Sequence, residues 1–153
     1  LFYWLTITLT MIDLATKLIV RLHMDVGESR LVREGILYLH YYQNSGAAGS
    51  SFQGYGRLFG IIAVLFITAV LIYRRRRSEE RGASLQDAGL SFLVAGAAGN
   101  GIERLYQGKV TDFLQFGTNG GILNVADLFI NVGVLIYVGQ QIYFAIRAKV
   151  KVS

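Results

Sequence analysis

Apolar residues in this chain gather into four long runs. The first, 1–22, is broken by Asp13, Lys17 and Arg21. The second, 57–73, contains the unbroken stretch LFGIIAVLFITAVLIY. The third, 85–105, is rich in Gly and Ala and ends in the polar residues Asn100, Glu103 and Arg104. The fourth, 125–146, is apolar with Asn131, Gln140 and Gln141 inside it. Each run approaches the ~20 residues that a helix needs to cross a bilayer, the second with help from its flanks. The pattern predicts a membrane protein, mainly α, with four transmembrane helices in one integral membrane domain covering 1–153. The first run carries internal charges and lacks a small-x-small cleavage site, so it is expected to be retained rather than removed as a signal peptide. The chain starts at Leu1, and an earlier natural start is expected.

Between the runs lie 23–56, 74–84 and 106–124. Within the first of these, Ile36-Leu37-Tyr38-Leu39-His40-Tyr41-Tyr42 has the branched and aromatic content of a strand, and Gly27 and Gly35 supply turns beside it. A small β-sheet lying on the membrane surface is predicted there. Segment 106–124 reads as a loop to which Gly108, Gly117, Gly120 and Gly121 give freedom to move.

Charge then orients the spans. The chain is 53% hydrophobic and 16% charged, against about 25% charged in soluble domains. The run RRRRSEER occupies 74–81, and Arg147, Lys149 and Lys151 follow the fourth span. Arg30, Arg33, Arg57 and Lys109 lie on the other side. The positive-inside rule therefore predicts cytoplasmic termini and a cytoplasmic 74–84, with 23–56 and 106–124 extracytoplasmic. The net charge of +5 is read as this orientation signal; it forms no continuous face for nucleic acid. Cysteine is absent, which excludes disulfides and thiolate metal sites. His23 and His40 are too few for a zinc site without carboxylate help. Neither a metal nor a cofactor is expected.

Two carboxylates stand out, Asp112 in Val-Thr-Asp-Phe-Leu and Asp127 in Asn-Val-Ala-Asp. They flank one outer segment between apolar runs, where a carboxylate is costly to keep. Paired carboxylates that share a proton can activate a water molecule for acid–base chemistry. The plainer reading of Asp127 is a first-turn residue of the fourth span, with Asn124 as its N-cap. Asp13 and Lys17 are spaced i, i+4 and share a helical face. A structural ion pair is the favoured reading, and positioning of a loop near the site is the other. The small residues of 44–49 allow close backbone approach, to a neighbouring helix or to a bound peptide. Gly96 and Gly99 invite helix packing. Arg104 either holds a carboxylate or lipid phosphate, or anchors the helix end at the headgroups.

Taken in order, Asp13-x-x-x-Lys17, Asn44-x-Gly46-Ala47-Ala48, Gly99-Asn100-x-x-Glu103-Arg104, Val110-x-Asp112-Phe113 and Asn124-x-Ala126-Asp127 resemble the bacterial lipoprotein signal peptidase family, signal peptidase II. The resemblance runs from Asp13 to about Gly133. It implies an intramembrane aspartic endopeptidase whose catalytic pair is Asp112 and Asp127. It further implies a prolipoprotein substrate already lipidated on a cysteine, cut on the N-terminal side of that cysteine. Asn44, Gly46, Asn100, Arg104, Asn124 and Ala126 would line or support the site, and Asp13 and Lys17 match a paired position of the family. Members are inhibited by the cyclic peptide globomycin and have an outer sheet that cradles substrate. The implied location is the bacterial cytoplasmic (inner) membrane, with the active site on the extracytoplasmic face. Expected partners are the substrate and membrane lipids, and the expected state is a monomer.

Two residues depart from the family pattern. Glu103 stands where Asp is usual, and Gly49 where a bulky apolar residue is usual. They leave open a catalytically altered variant. A reading from another class is a small polytopic binding or transport protein whose acidic pair relays protons. Other protease chemistries fit poorly. The chain has no His-Glu-x-x-His helix and no Gly-x-Gly-Asp signature. Ser50 and Ser51 lie in or near a loop, with neither histidine deep in a span.

Overall fold

Each apolar run folds as a helix, and no proline interrupts any of them. The computed structural model describes residues 1–47, 51–76 and 83–150. Helix α1 spans Phe2–His23, α2 Gly56–Arg76, α3 Ala83–Gln107 and α4 Val125–Val150. Gly49, Ser50, Lys151 and residues 77–82 of the basic loop lie outside the described residues.

Helix α3 packs against each of the other three. Its small residues explain why: a methyl group at Gly96 would lie 2.5 Å from the carbonyl oxygen of Ala126 and from Ile130. On α4, a methyl at Gly133 would lie 2.8 Å from Leu93. Small residues at these crossings let the backbones approach closely, the usual way apolar helices associate without a hydrophobic drive between them.

Two helices, α2 and the Val125–Arg147 part of α4, are long and apolar enough to cross a membrane, with mean hydropathies of 2.2 and 1.5. Helices α1 and α3 are of similar length but carry ionisable residues. Burial runs inside out for a soluble protein. Trp4, Leu65 and Leu135 are each more than 60% exposed, while Asp13 and Lys17 are fully buried. Apolar surface of this extent needs a lipid or protein surround.

Antiparallel strands β1 (Ser29–Arg33), β2 (Leu37–Asn44), β3 (Val110–Phe116) and β4 (Ile122–Leu123) form one sheet in that order. The hairpin of β1 and β2 occupies the segment whose composition predicted strands. The second outer segment differs from its expectation as a loop, because it supplies β3 and β4. Val110, Thr111 and Phe113 have the β-branched and aromatic character that fits a pleated surface, and β2 offers a full edge for pairing, Asn44 with Val110 and Leu37 with Phe116. Two of the glycines thought to loosen this segment instead fix its ends. Gly108 (φ +71°) closes α3 by donating its N–H to Arg104 O, and Gly117 (φ +72°) donates to Ile36 O.

The inner face of the sheet seals the bundle. Tyr41 and Phe113 pack with Val20 and Met24 at the end of α1, against Leu39, Leu114 and Val125. At the opposite end of the bundle, Phe2, Val70, Leu90 and Val94 form a second apolar cluster.

Candidate active site

The site begins where α4 begins. Asn124 Oδ1 accepts the backbone N–H of Asp127 at 3.0 Å, and Asp127 Oδ2 accepts the backbone N–H of Asn124 at 3.2 Å. This is a reciprocal capping box, which satisfies two amides that a helix start leaves open. The plain reading of Asn124 as N-cap is thus met. Yet the same Asn124 also turns its Nδ2 to Asp112 Oδ1, at 2.6 Å. One residue therefore caps the helix and links the two carboxylates, its side-chain amide holding Asp112 and its backbone N–H holding Asp127.

Asp112 sits on β3, where its Oδ2 accepts from Asn44 Nδ2 on β2 at 3.1 Å. Asp127 Oδ1 accepts from Asn100 Nδ2 on α3 at 2.8 Å. All four carboxylate oxygens thus receive one hydrogen bond from a neutral amide. Neither carboxylate takes part in an ion pair among the described residues. Neutral donors fix orientation without supplying the full positive charge that would hold both groups ionised. Burial, reinforced by the negative charge of Asp127, pushes the Asp112 carboxyl up to about 6, against the pull of the Asn124 and Asn44 hydrogen bonds.

Behind this pair lies a charged layer. Asp13 and Lys17 pair at 2.7 Å, fully buried. Asp13 Oδ1 also accepts the backbone N–H of Ala126 at 2.8 Å, so α1 caps a second open amide of α4. Lys17 Nζ donates to Asn100 Oδ1 at 2.8 Å, and Asn100 in turn donates to Asp127. The ion pair is therefore structural and also reaches the site through two residues. Gly99 makes room for it, since a Cβ there would collide with the Asp13 carboxylate.

Asn44, Gly46 and Arg104 form a third group. Asn44 Oδ1 accepts the N–H of Gly46 at 2.9 Å, a tight local turn after β2. Arg104 Nη2 donates to Gly46 O at 3.1 Å and its guanidinium carbon lies 5.7 Å from the Phe59 ring centroid. Arg104 thus pins the segment after β2. Its Nε is buried and has no hydrogen-bond partner among the described residues. The site residues implied by the resemblance therefore meet in one region, with Gly46 and Ala126 contributing backbone.

These groups border a cavity of about 540 Å³ between α2, α3 and α4. Asp112, Asp127, Asn44, Asn100, Asn124 and Arg104 furnish its polar part; Phe59, Ile62, Phe66, Leu93 and Ile130 furnish apolar wall. A mostly apolar cleft with a few convergent polar groups is what a small or lipid-bearing ligand requires. Among the described residues there is no cluster of three or more His, Asp or Glu able to hold a metal ion.

Three contributors were not foreseen. Glu103, noticed only as a departure, accepts from the backbone N–H and the hydroxyl of Thr111, next to Asp112. Thr111 has no site role in the sequence, and Arg21 reads there only as a charge breaking the first apolar run. Arg21 had a visible signal, because 13, 17 and 21 are four residues apart and share one helical face.

Comparison with known proteins places the chain in a family. A family model described as signal peptidase (SPase) II matches residues 5–143. A protein of Geobacillus kaustophilus named lipoprotein signal peptidase is 34% identical, covering 97% of both chains. One of the same name from Fusobacterium nucleatum is 34% identical over 99% of this chain and 92% of its own. Another, from Listeria monocytogenes, is 37% identical over 88% of each. A solved structure titled as a bacterial membrane enzyme superposes with a TM-score of 0.85 at 26% identity, covering 92% of this chain and 87% of that one. A second of similar title gives 0.80 at 27% identity, covering 91% and 90%. The matches span the whole set of site motifs from Asp13 to Asp127, and the chain belongs to the signal peptidase II family.

Proposed function

We propose that the chain is an intramembrane aspartic endopeptidase that removes the signal peptide from lipidated prolipoproteins, with Asp112 and Asp127 as the catalytic pair. The observation that carries the reading is the bridging of both carboxylates by Asn124 at the wall of one apolar cavity. Membership of the family and the names of the relatives support the substrate class.

The two aspartates divide the work by environment. Asp112, the one pushed up to about 6, holds the shared proton. A lipid-bearing substrate entering the cavity excludes more water and raises it further. Asp127, ionised, takes a proton from a water lying between the carboxylates as that water attacks the scissile carbonyl. Asp112 donates its proton to the carbonyl oxygen, giving a neutral tetrahedral diol. Collapse returns a proton from the diol hydroxyl to Asp112, while Asp127 passes its proton to the leaving nitrogen. The products are a signal-peptide carboxylic acid and a new amino-terminal lipidated cysteine. The open Nε–H of Arg104 is placed to donate to a peptide or ester carbonyl oxygen of the substrate. The apolar wall of α2 and α4 suits the acyl chains and the signal helix.

In this reading all four helices cross the bacterial cytoplasmic membrane. The sheet and both aspartates lie at its extracytoplasmic face, and 1–153 forms one domain. The buried charges of α1 and α3 are tolerated within lipid because they pair with one another.

The test is cleavage of a lipidated precursor by purified protein. Asp112→Asn and Asp127→Asn should each lower turnover by at least about 1000-fold, as loss of an acid–base residue in such a pair does. Full turnover in both variants would end the protease reading.

A further inference from the structure

We infer that Arg21 is a positioning residue for Asp112, acting through Glu103; the inference rests on the peptidase reading and deepens it. Glu103 is buried and its carboxylate grips one residue at two points. Its Oε2 accepts the backbone N–H of Thr111 at 2.8 Å, and its Oε1 accepts the Thr111 hydroxyl at 2.9 Å. Thr111 immediately precedes Asp112 on β3. Strand β4 pairs with β3 only at Leu114 and Gln115. At Thr111 the free edge of β3 is therefore closed by a carboxylate instead of a strand, which satisfies a buried amide.

A buried carboxylate needs a cation. Lys17 lies 3.6 Å from Glu103 but is committed more closely to Asp13, at 2.7 Å. Arg21 makes a direct ion pair with Glu103 Oε1, its sole ion pair among the described residues. Gln107 Nε2 adds a neutral hydrogen bond at 3.1 Å. The cluster of Asp13, Lys17, Glu103 and Arg21 is thus charge-balanced only with Arg21 present. Remove it, and Lys17 at 3.6 Å is the cation left to Glu103, so the carboxylate shifts toward it. That shift loosens its hold on Thr111, and Asp112 loses its alignment with Asn44 and Asn124. The Glu at 103, one methylene longer than the usual Asp, spans from α3 to both Arg21 and the strand. The plainer role for Arg21 is that of a cation in the last turn of α1, where it favours the helix terminus. That role affects stability alone.

The experiment uses the purified full chain in detergent with a lipidated precursor. Arg21→Met should lower kcat by about 10- to 100-fold, the scale expected when a reacting group is misplaced by a fraction of an ångström to an ångström. KM should stay within about twofold, since the substrate cavity is untouched, and the pH profile of kcat should move. Arg21→Lys should recover most of the loss. The double variant Arg21→Met/Glu103→Gln should be no slower than the slower single variant, because both break one linkage. A parental kcat and pH profile in Arg21→Met overturns the inference, whatever the change in Tm. So does a lack of recovery with Lys. If the parent chain itself cleaves nothing, the peptidase reading fails, and infrared titration of the Asp112 carboxyl decides separately. A shift in Arg21→Met supports the linkage, and an unmoved titration overturns it.

Discussion

At the end of the bundle away from the sheet, Phe2, Val70, Leu90 and Val94 pack as apolar side chains, and the nearby charges Arg74 and Asp87 pair at a partly exposed edge. Toward the sheet, Asp13, Lys17, Asn100, Glu103, Thr111, Asp112 and Asn124 are all buried and joined by hydrogen bonds across α1, α3, β3 and the start of α4. The first region is held by shape, which tolerates substitutions of similar volume. The second is held by donors and acceptors that each need a particular partner, so a single deletion strands another buried group. Under the proposed function, the difference separates the region that would hold the chemistry from the region that holds only scaffold.

The strongest way to break the contrast is to remove one member of the buried ion pair. Asp13→Ala removes the nearest anion of Lys17, leaving Glu103 at 3.6 Å, and frees the Ala126 N–H, and it should cost about 3–5 kcal/mol. Replacing both residues, Asp13→Leu with Lys17→Met, should recover much of that stability because no lone charge remains. Activity should stay low in the double variant, since Asn100 and Ala126 still lack their partners. Thermal melting in detergent beside turnover measures both. A double variant with parental turnover would show the pair to be scaffold, like the far end.

A finer test uses pH. Asp112 is raised from 3.8 to about 6, so the folded chain binds its proton more tightly than the unfolded chain does. Its contribution to stability is therefore greatest below about pH 4 and is lost as pH rises toward 6. Tm measured from pH 4 to pH 7 should fall across that window in the parent, and Asp112→Asn should flatten the fall. An equal slope in both chains would place the titration elsewhere.

The smallest effect is expected at the far end. Arg74 donates to Asp87 at 2.9 and 3.2 Å and lies over the Phe2 ring at 4.5 Å. Arg74→Met should cost no more than about 2 kcal/mol, the sum of a partly exposed ion pair and a cation–π contact. Its turnover should match the parent. A large fall in kcat with little change in Tm would show that the two ends are coupled.

Much of this was readable from residue order. The four apolar runs set the helices, and the spacing of Asp13 and Lys17 set the buried pair. Asn124 three residues before Asp127 foretold the cap. What stayed hidden was the strand that carries Asp112. Val110, Thr111, Asp112 and Phe113 are all buried, so they lack the alternation that marks a strand with one wet face. The glycines around this strand carry the composition of a loop, although Gly108 and Gly117 here end α3 and β3. Glu103 and Thr111 were hidden for a related reason. Their partnership joins a helix end to a strand edge, and only the closed sheet brings those together.

The cap at the head of α4 has one more implication. Helix starts accept Asn, Asp or Ser with nearly equal ease, so folding alone places little demand on position 124. Asp112, however, takes its shortest hydrogen bond from the amide nitrogen of that residue. Aspartate or serine could begin the helix equally well, but an aspartate would turn a third carboxylate toward Asp112, and neither has that nitrogen. Here a choice that is nearly neutral for secondary structure becomes selective for how Asp112 is held.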